Sequence, residues 1–357
     1  MVREEGADAV LLTSEVSLIY ATGVTAMEGA CVVFADDSAV FITDGRYIEV
    51  AQQRIGAQGI TVLCRTTAQA LGNFLAQIFS ERQVRRLFYE DAVLTVAEFA
   101  RFRAQLPDVK DYLPASDKLG VLRACKSEEE IGSVIKAQRI AERALVRLLP
   151  ELYTGITERE AAARLNYYMA LDGSEKPSFD TIMLFGENTS KPHGTPSDRP
   201  LRIGDFITMD FGAVCEGYHS DMTRTVAYGS ATDEMREVYE TVLRAQAAAM
   251  SVAKAGLRCC GMHSAAADVI KAAGYGEYFT HALGHTVGLE IHEYPVAGPH
   301  CDVVLRDGMI ITDEPGIYIA GKFGVRIEDM LVIDGETPRN LTEAPKTLTV
   351  LPENVLR

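Results

Sequence analysis

Two acidic residues lie in a stretch of sequence that strongly favours a β-hairpin. Residues 207–213 and 217–225 are rich in β-branched and apolar side chains, and residues 214–217 supply a tight reversal between them. A hairpin would bring Asp210 and Asp221 onto neighbouring strands. Two carboxylates held that close in apolar surroundings raise each other's pKa unless a cation lies between them. The stretch therefore predicts a metal site, with two solvated hairpin aspartates as the simpler alternative.

Three further potential ligands lie downstream in strand-like segments punctuated by glycine: His285, Glu314 and Glu328. An unpaired charge would be costly to bury in such segments. Four carboxylates and one imidazole form an oxygen-rich set, which suits a pair of Mn²⁺, Co²⁺, Fe²⁺ or Zn²⁺ ions better than a thiolate-bound structural zinc. Two divalent ions about 3.5 Å apart are a recurrent hydrolytic device, because they lower the pKa of a bridging water and hold both oxygens of a tetrahedral intermediate.

The order of these residues resembles that of the aminopeptidase P, prolidase and creatinase family. The matching segments span nearly the whole C-terminal two-thirds of the chain and are residues 177–182, 192–194, 209–213, 220–225, 284–285, 290–293, 314–318 and 325–329. The resemblance implies an α/β N-terminal domain with a mixed sheet, followed by an α+β catalytic domain of the pita-bread fold. It also implies a homodimer.

The resemblance assigns each potential ligand a role. Asp210 would bind one ion, Asp221 and Glu328 would bridge both, and His285 with Glu314 would bind the other. The two ions are expected to be Mn²⁺, with Co²⁺, Fe²⁺ or Zn²⁺ as alternatives. Glu314 would also accept the proton of the bridging water, because a carboxylate on the same ion is within reach of that proton.

Three further residues match catalytic positions of the family. His193 and His292 correspond to histidines that contact the scissile carbonyl, the developing oxyanion or the proline end of the substrate. Although a lone histidine is more often structural than catalytic, the motif context reverses that expectation for these two but not for His219. Arg326, two residues before Glu328 on the same predicted strand, would face the same side and hold a carboxylate or order a ligand.

Phe179, His281 and Tyr318 are predicted to be walls of the substrate pocket, and core packing accounts for the two aromatic rings equally well. A wall of this kind suits proline. A peptide bond to proline has no N–H group, so an enzyme that recognises it needs an apolar slot for the ring.

Two substrate classes follow from the resemblance. Dipeptide-specific prolidases often carry an arginine directly after the His-Glu-x-Pro run, where it clamps the free carboxylate; this chain has Val296 there. The departure favours an aminopeptidase P-like enzyme, which removes the first residue from longer Xaa-Pro peptides by attack of a metal-bridging hydroxide. The alternative is an Xaa-Pro dipeptidase in which Arg326 provides the clamp. The intact ligand set disfavours a creatinase-like amidinohydrolase or an inactive binding protein, and the extra N-terminal domain disfavours a methionine aminopeptidase.

Short strand-like and helical segments alternate in the first part of the chain, as expected for an α/β unit. Strands are predicted at residues 9–12, 31–34, 39–42, 60–63 and 86–89, and helices at 46–55, 68–79 and 96–106. Pro107, Pro114 and Gly120 interrupt the periodicity, so the expected domains are 1–118 and 119–357. Capping boxes that begin at Ser127 and Thr157 predict the starts of two helices, and longer helices are predicted at 232–255 and 262–273.

Composition narrows the partners. A net charge of −15 argues against nucleic acid, because phosphate binding needs clustered Lys and Arg. The seven cysteines are scattered and odd in number, which favours reduced thiols in the cytoplasm. No apolar run reaches about 18 residues, so no membrane span is expected, and the first residues do not resemble a signal peptide. The resemblance implies proline-containing peptides as the partners.

Overall fold

The structure is a computed structural model that describes residues 1–66 and 68–354. The chain divides into two compact units between Arg123 and Ala124. The expected domain boundary after residue 118 falls inside the helix Ser116–Ala124. Gly120 lies within that helix, since a single glycine weakens a helix without ending it. Residues 355–357 of the expected second domain lie outside the described residues.

The first unit alternates strands and helices. In chain order these are β1 (Ala9–Leu12), α1 (Glu15–Thr22), β2 (Ala30–Phe34), β3 (Ala39–Asp44), α2 (Ile48–Arg54), β4 (Thr61–Arg65), α3 (Leu71–Glu81), β5 (Arg86–Tyr89), α4 (Val96–Gln105), β6 (Asp111–Pro114) and α5 (Ser116–Ala124). The six strands form one sheet in the order β4-β3-β2-β1-β5-β6. Parallel and antiparallel pairs both occur, so the predicted mixed sheet is confirmed.

Apolar side chains cover both faces of this sheet and form two clusters. The sequence did not predict α1 or β6. The N-terminus of α1 is fixed by the buried Glu90 carboxylate, which accepts hydrogen bonds from the backbone and hydroxyl of Ser14 and from the Ser17 hydroxyl. Glu90 lies far from this helix in the sequence, although the helix also has local caps: Ser14 accepts from the Ser17 backbone N–H, and Gly23 ends the helix in the left-handed conformation.

The second unit begins with two helices, continues with strands, and repeats that order. Its elements are α6 (Glu128–Leu148), α7 (Glu158–Leu171), β7 (Ile182–Phe185), β8 (Phe206–Phe211), β9 (Val214–Cys215), β10 (Tyr218–His219), β11 (Met222–Tyr228), α8 (Asp233–Val252), α9 (Cys259–Ala272), β12 (Gly284–Thr286), β13 (Glu293–Ala297), β14 (Ile310–Asp313), β15 (Gly316–Ile319), β16 (Phe323–Arg326), β17 (Asp329–Val332), β18 (Arg339–Asn340) and β19 (Val350–Leu351).

Each pair of helices packs against a sheet of its own. Helices α6 and α7 share a core with the four-stranded sheet β19-β11-β8-β7. Helices α8 and α9 share another core with the five-stranded sheet β13-β12-β14-β17-β18. The remaining strands form the ribbons β9–β10 and β15–β16. None of the helices in the described ranges is long and apolar enough to cross a lipid bilayer.

The two predicted capping boxes differ. At α6, Ser127 accepts from the Glu130 backbone and the Glu130 side chain accepts from the Ser127 backbone, so the box is complete. At α7, Thr157 accepts from the Glu160 backbone, but the Glu160 carboxylate is engaged by Arg164 at 2.8 Å. The second box is therefore only half formed, because a cation one turn along the helix competes for the carboxylate.

Candidate metal centre

The predicted hairpin is present and carries both aspartates. Strands β8 and β11 are antiparallel with Asp210 opposite Thr223, and Asp221 lies one residue before β11. Gly212 allows the two arms to approach, because a Cβ at that position would lie 1.8 Å from the carbonyl oxygen of Ser220. A side chain there would push apart the two segments that hold Asp210 and Asp221.

The other three predicted ligands come from the second sheet. His285 lies in β12, Glu314 directly after β14, and Glu328 directly before β17. Gly284 is constrained in the same way as the hairpin glycine, since a Cβ there would lie 2.1 Å from the carbonyl oxygen of Thr312. The ligands therefore lie in or next to strands that Gly212 and Gly284 allow to approach each other closely.

The structure brings all five predicted metal ligands together. The Nε2 atom of His285 is 3.4 Å from Asp221 Oδ2 and 3.4 Å from Glu314 Oε1. One ligand atom from each of Asp221, His285 and Glu328 lies within 4.8 Å of the others. Asp210, Asp221, His285 and Glu314 line one cavity of about 450 Å³.

Neighbouring hydroxyl and carbonyl groups orient these ligands. Thr312 donates to Glu314 Oε1 at 3.0 Å and accepts from the His285 backbone at 3.0 Å. The Thr286 carbonyl oxygen lies 3.3 Å from His285 Nδ1, which leaves Nε2 directed at the carboxylates. Thr223 donates to Glu328 Oε2 at 2.7 Å. Such contacts fix ligand geometry in metal sites.

Three carboxylate oxygens in this cluster are buried and have no hydrogen-bond partner among the described residues: Asp210 Oδ1, Asp221 Oδ1 and Glu328 Oε1. Bare oxygens of this kind are expensive unless a proton or a cation satisfies them. A group of oxygen donors with one imidazole nitrogen fits divalent ions of the manganese to zinc series.

The titration of the cluster reflects the same crowding. Burial raises the pKa of Asp221 to about 7, with Asp210 adding to the shift and His285 opposing it. Burial also raises the pKa of Glu314, and raises that of Glu328 well above its usual range with help from neighbouring carboxylates. Burial alone would lower the pKa of His285, but Asp221 and Glu314 outweigh it and raise that pKa to about 9.

Arg326 and Glu328 do not share the strand that the sequence predicts, although Arg326 does contact the carboxylate of a potential ligand. Strand β16 ends at Arg326, so Glu328 follows in the connection to β17 rather than on the same strand. The guanidinium is buried and donates to Asp210 Oδ2 at 2.5 Å, to the Tyr318 hydroxyl at 2.8 Å, to the Pro192 carbonyl at 3.2 Å and to Thr223. Among the described residues it is not part of the cavity lining. Its partner is a metal-ligand candidate, Asp210.

Tyr318 also lies off the cavity lining among the described residues, whereas Phe179 and His281 line it. Burial lowers the pKa of His281 to about 4, so the ring is neutral at pH 7. Its Nδ1 faces the Ala282 carbonyl at 2.7 Å and must donate to it, so Nε2 accepts from the Tyr318 hydroxyl at 2.9 Å. Tyr318 therefore connects His281 to Arg326.

His193 and His292, the two histidines with a predicted catalytic role, are both exposed and line the cavity. The ring of His292 is 4.3 Å from the ring of His285, measured between centroids. Asp180, Ile182 and Ile291 also face the cavity and were not predicted to do so. All three lie inside the matching segments or one residue from a matched histidine, but no spacing distinguishes cavity-facing from buried positions there.

Comparison with known proteins defines the class. Residues 133–335 match the model of metallopeptidase family M24, and residues 1–125 match the creatinase/prolidase N-terminal domain. The chain belongs to metallopeptidase family M24. The resemblance found in the sequence is confirmed, as are the α/β N-terminal domain, the pita-bread catalytic domain and the assignment as a metal-dependent hydrolase.

Individual relatives agree along nearly the whole chain. An Xaa-Pro dipeptidase of Pyrococcus furiosus is 35% identical over 345 residues, which cover 97% of this chain and 96% of the relative. A solved Xaa-Pro dipeptidase from Bacillus anthracis has a TM-score of 0.92 at 36% identity, with 98% of this chain and 96% of that chain covered. The X-Pro aminopeptidase from Thermotoga maritima has a TM-score of 0.92 at 34% identity, with coverage of 98% and 99%.

Proposed function

We propose that this protein is a peptidase with two divalent metal ions that hydrolyses the Xaa-Pro bond at the N-terminus of peptides. The observation that carries the proposal is the set of three partnerless buried oxygens, on Asp210, Asp221 and Glu328, beside one cavity. Together with His285 and Glu314 these residues would hold the ions, with Mn²⁺ as the first candidate and Co²⁺, Fe²⁺ or Zn²⁺ as alternatives. Ions in such a site lower the pKa of a water molecule and polarise the scissile carbonyl.

The protein groups around the cavity have complementary tasks. Glu314 would accept a proton, because a carboxylate bound to the same ion is within reach of the proton of the water. His193 and His292 present exposed ring nitrogens that can donate to an oxygen on which charge develops. Arg326 does not line the cavity among the described residues and orients Asp210 by donating a hydrogen bond to one of its oxygens. Phe179 and Val296 offer the apolar surface that a proline ring requires.

Two substrate lengths are in contention, and each has its own support. Val296 lines the cavity at the position where dipeptide-specific prolidases often have an arginine, and it has no guanidinium. The Arg326 guanidinium is bound to Asp210, so it does not reach the carboxylate of a dipeptide. This favours longer peptides and an aminopeptidase P-like activity. The names of the relatives support a dipeptidase at least as well, because Xaa-Pro dipeptidases match with nearly complete coverage.

The proposal is tested by turnover of Ala-Pro and Ala-Pro-Ala side by side with Mn²⁺ added, and Ala-Ala-Ala as the control for proline specificity. Cleavage of the tripeptide alone supports the aminopeptidase and cleavage of the dipeptide alone supports the prolidase. Failure to cleave either proline peptide, with metal bound, would refute the proposed function.

We also expect a homodimer and a cytoplasmic location. Light scattering after size exclusion checks the first, against a chain mass of 39.0 kDa, and cell fractionation checks the second.

A further inference from the structure

A buried ion pair closes the turn that carries His292. Lys126 Nζ lies 2.8 Å from Glu293 Oε2, and the two side chains are 1% and 2% exposed. The other oxygen of Glu293 accepts from the backbone N–H groups of Leu289 and Glu290, at 3.1 and 3.3 Å. One carboxylate therefore ties together both ends of residues 289–293 and anchors them to the segment directly before α6.

The turn is packed around this pair without spare room. A Cβ on Gly288 would lie 2.6 Å from Glu293 Oε2 and 2.8 Å from Lys126 Cε. The carbonyl oxygen of Gly288 accepts from the backbone N–H of His219 at 2.8 Å. The position of the turn is thus set on one side by the ion pair and on the other by strand β10.

His219 continues the connection to the opposite wall of the cavity. Its Nδ1 atom is 2.9 Å from the Ser178 hydroxyl and 3.1 Å from the Ser178 carbonyl oxygen. Ser178 directly precedes Phe179, which lines the cavity, and the turn carries Ile291 and His292, which line it as well. Two walls that approach the substrate from different segments are therefore joined behind the cavity.

Stability alone does not account for a pair buried so completely. The desolvation of two charges offsets most of their attraction, so an apolar pair of similar size is often as stable or more so. What an apolar pair lacks is the carboxylate that holds the Leu289 and Glu290 amides. The distinctive contribution of Glu293 is the backbone geometry next to His292.

We propose that Lys126 and Glu293 are positioning residues that set the His292 ring against the substrate carbonyl. The inference rests on the proposed function, in which His292 donates to an oxygen of the substrate. Glu293 and Lys126 do not act on the substrate themselves. Their effect passes through the 288–293 turn.

The test is a double-mutant cycle with Xaa-Pro substrate in which His292→Ala is combined with Glu293→Met, because methionine offers no oxygen to the Leu289 and Glu290 amides. In the wild-type background Glu293→Met is expected to lower kcat/KM by about 10- to 100-fold, as a misplaced catalytic group does. In the His292→Ala background the same change is expected to lower it less than about threefold, because the residue that it positions is already gone. Equal effects in the two backgrounds would overturn the inference.

A second comparison separates geometry from stability. Lys126→Met and Glu293→Met each break the pair and are expected to lower the melting temperature, whereas the double variant is an apolar pair and is expected to regain most of it. Its kcat is expected to stay low. Recovery of kcat together with the melting temperature would show that the pair has only a structural role.

The matched control is the pair Arg199 and Asp205, which lies outside the cavity lining among the described residues and is 10% and 11% exposed. Arg199→Met combined with Asp205→Asn is expected to change the melting temperature without a change in kcat. A loss of kcat in this control comparable to that of Glu293→Met would contradict a specific positioning role. If the wild-type enzyme cleaves no Xaa-Pro peptide, the proposed function fails and the inference fails with it, whereas additive effects in an active enzyme overturn the inference alone.

Discussion

Asp221 shows at the scale of one residue why this cluster needs cations. It is 4% exposed, one of its oxygens is 3.4 Å from His285 Nε2, and the other has no partner among the described residues. Within the described protein, only one of the two carboxylate oxygens of Asp221 therefore has a partner. A shared ion would supply the remaining compensation to Asp221 and Glu328 at the same time.

Asp221→Asn is accordingly expected to lose bound metal and to lower kcat by more than about 100-fold, the upper range for residues that merely support a ligand. Elemental analysis and peptide turnover measure the two effects. Asp302→Asn serves as control, because Asp302 is exposed and contacts the exposed Arg258 and the Cys260 thiol, neither of which is a potential metal ligand. Metal content and turnover like the wild type in Asp221→Asn would refute the ligand assignment.

The metal-stripped protein is expected to lose stability as the pH rises. Asp221 has a folded pKa of about 7 against a usual value of 3.8, so the folded state holds a proton that the unfolded chain has released. The proton on Asp221 therefore contributes fully to the free energy of unfolding below about pH 4. This contribution is lost as the pH rises through about 7. His285 acts with the same sign, between 6.5 and about 9. Chemical denaturation of chelator-treated protein at pH 5 and pH 8 measures the difference, and saturating Mn²⁺ should reduce it.

The types of residue in the sequence were enough to predict most of the site. The exact hydrogen-bond partners of those residues could not be predicted. Acids and histidine in apolar segments indicated the cluster, because buried charges need compensation. A carboxylate partner was predicted for Arg326, but its identity as Asp210 was not, because the chain leaves strand β16 at that residue and a two-residue alternation holds only within a strand. His219 received no role, since its contacts to Ser178 and Gly288 bring together segments far apart in the sequence.

The hairpin β8–β11 is the element on which the site depends most. Its arms meet at Gly212, where an added Cβ would lie 1.8 Å from the Ser220 carbonyl oxygen and 2.9 Å from Ser178 Cβ. Backbone cannot yield as a flexible side chain does. The separation of Asp210 from Asp221 is therefore set by the glycine between them.

Gly212→Ala is expected to weaken metal binding by at least about 10-fold and to lower the melting temperature, because the hairpin arms must separate. Isothermal titration with Mn²⁺ measures the affinity. Gly132→Ala is the matched control, since Gly132 lies in α6 with no atom within 4 Å of its added Cβ, and alanine in a helix is favoured by up to about 1 kcal/mol. Unchanged affinity in Gly212→Ala would mean that the hairpin adapts.

At the scale of elements, periodicity predicted most helices and strands to within a few residues at each end. One capping box differed from the prediction because another side chain competes for its glutamate. Ser127 and Thr157 have the same spacing to a glutamate. Only Ser127 forms a complete box, because Arg164 engages the Glu160 carboxylate at α7. Strand β6 was missed because Pro114 was interpreted as part of a linker, although proline is acceptable at the edge of a sheet.

The whole molecule consists of two units with separate apolar cores. All five predicted ligands belong to the second unit. The family resemblance predicted the folds of both units, although the matching segments all lie in the second unit. The convergence of distant residues, such as Lys126 and Glu293 separated by 167 positions, could not be read from the sequence because nothing local records it.

Metal should therefore stabilise one part of the molecule selectively. Calorimetry of the full chain is expected to show that Mn²⁺ raises the unfolding temperature of the second unit, by an amount that grows with the logarithm of the concentration. At 100 times the dissociation constant the gain is about 2.7 kcal/mol. Asp221→Asn provides the control and should show little shift. An equal shift in that variant would place the stabilising ions elsewhere.

The Thr223 hydroxyl has one hydrogen, and this limits how Glu328 can be protonated. Arg326 Nε can only donate to that hydroxyl, at 3.0 Å, so the hydrogen of Thr223 must go to Glu328 Oε2. Any proton that Glu328 carries in the absence of metal is thereby directed to Oε1, the oxygen without a partner. A metal ion that binds there would displace this proton, which the buffer would take up. The enthalpy of metal binding measured by calorimetry should therefore vary with the ionisation enthalpy of the buffer.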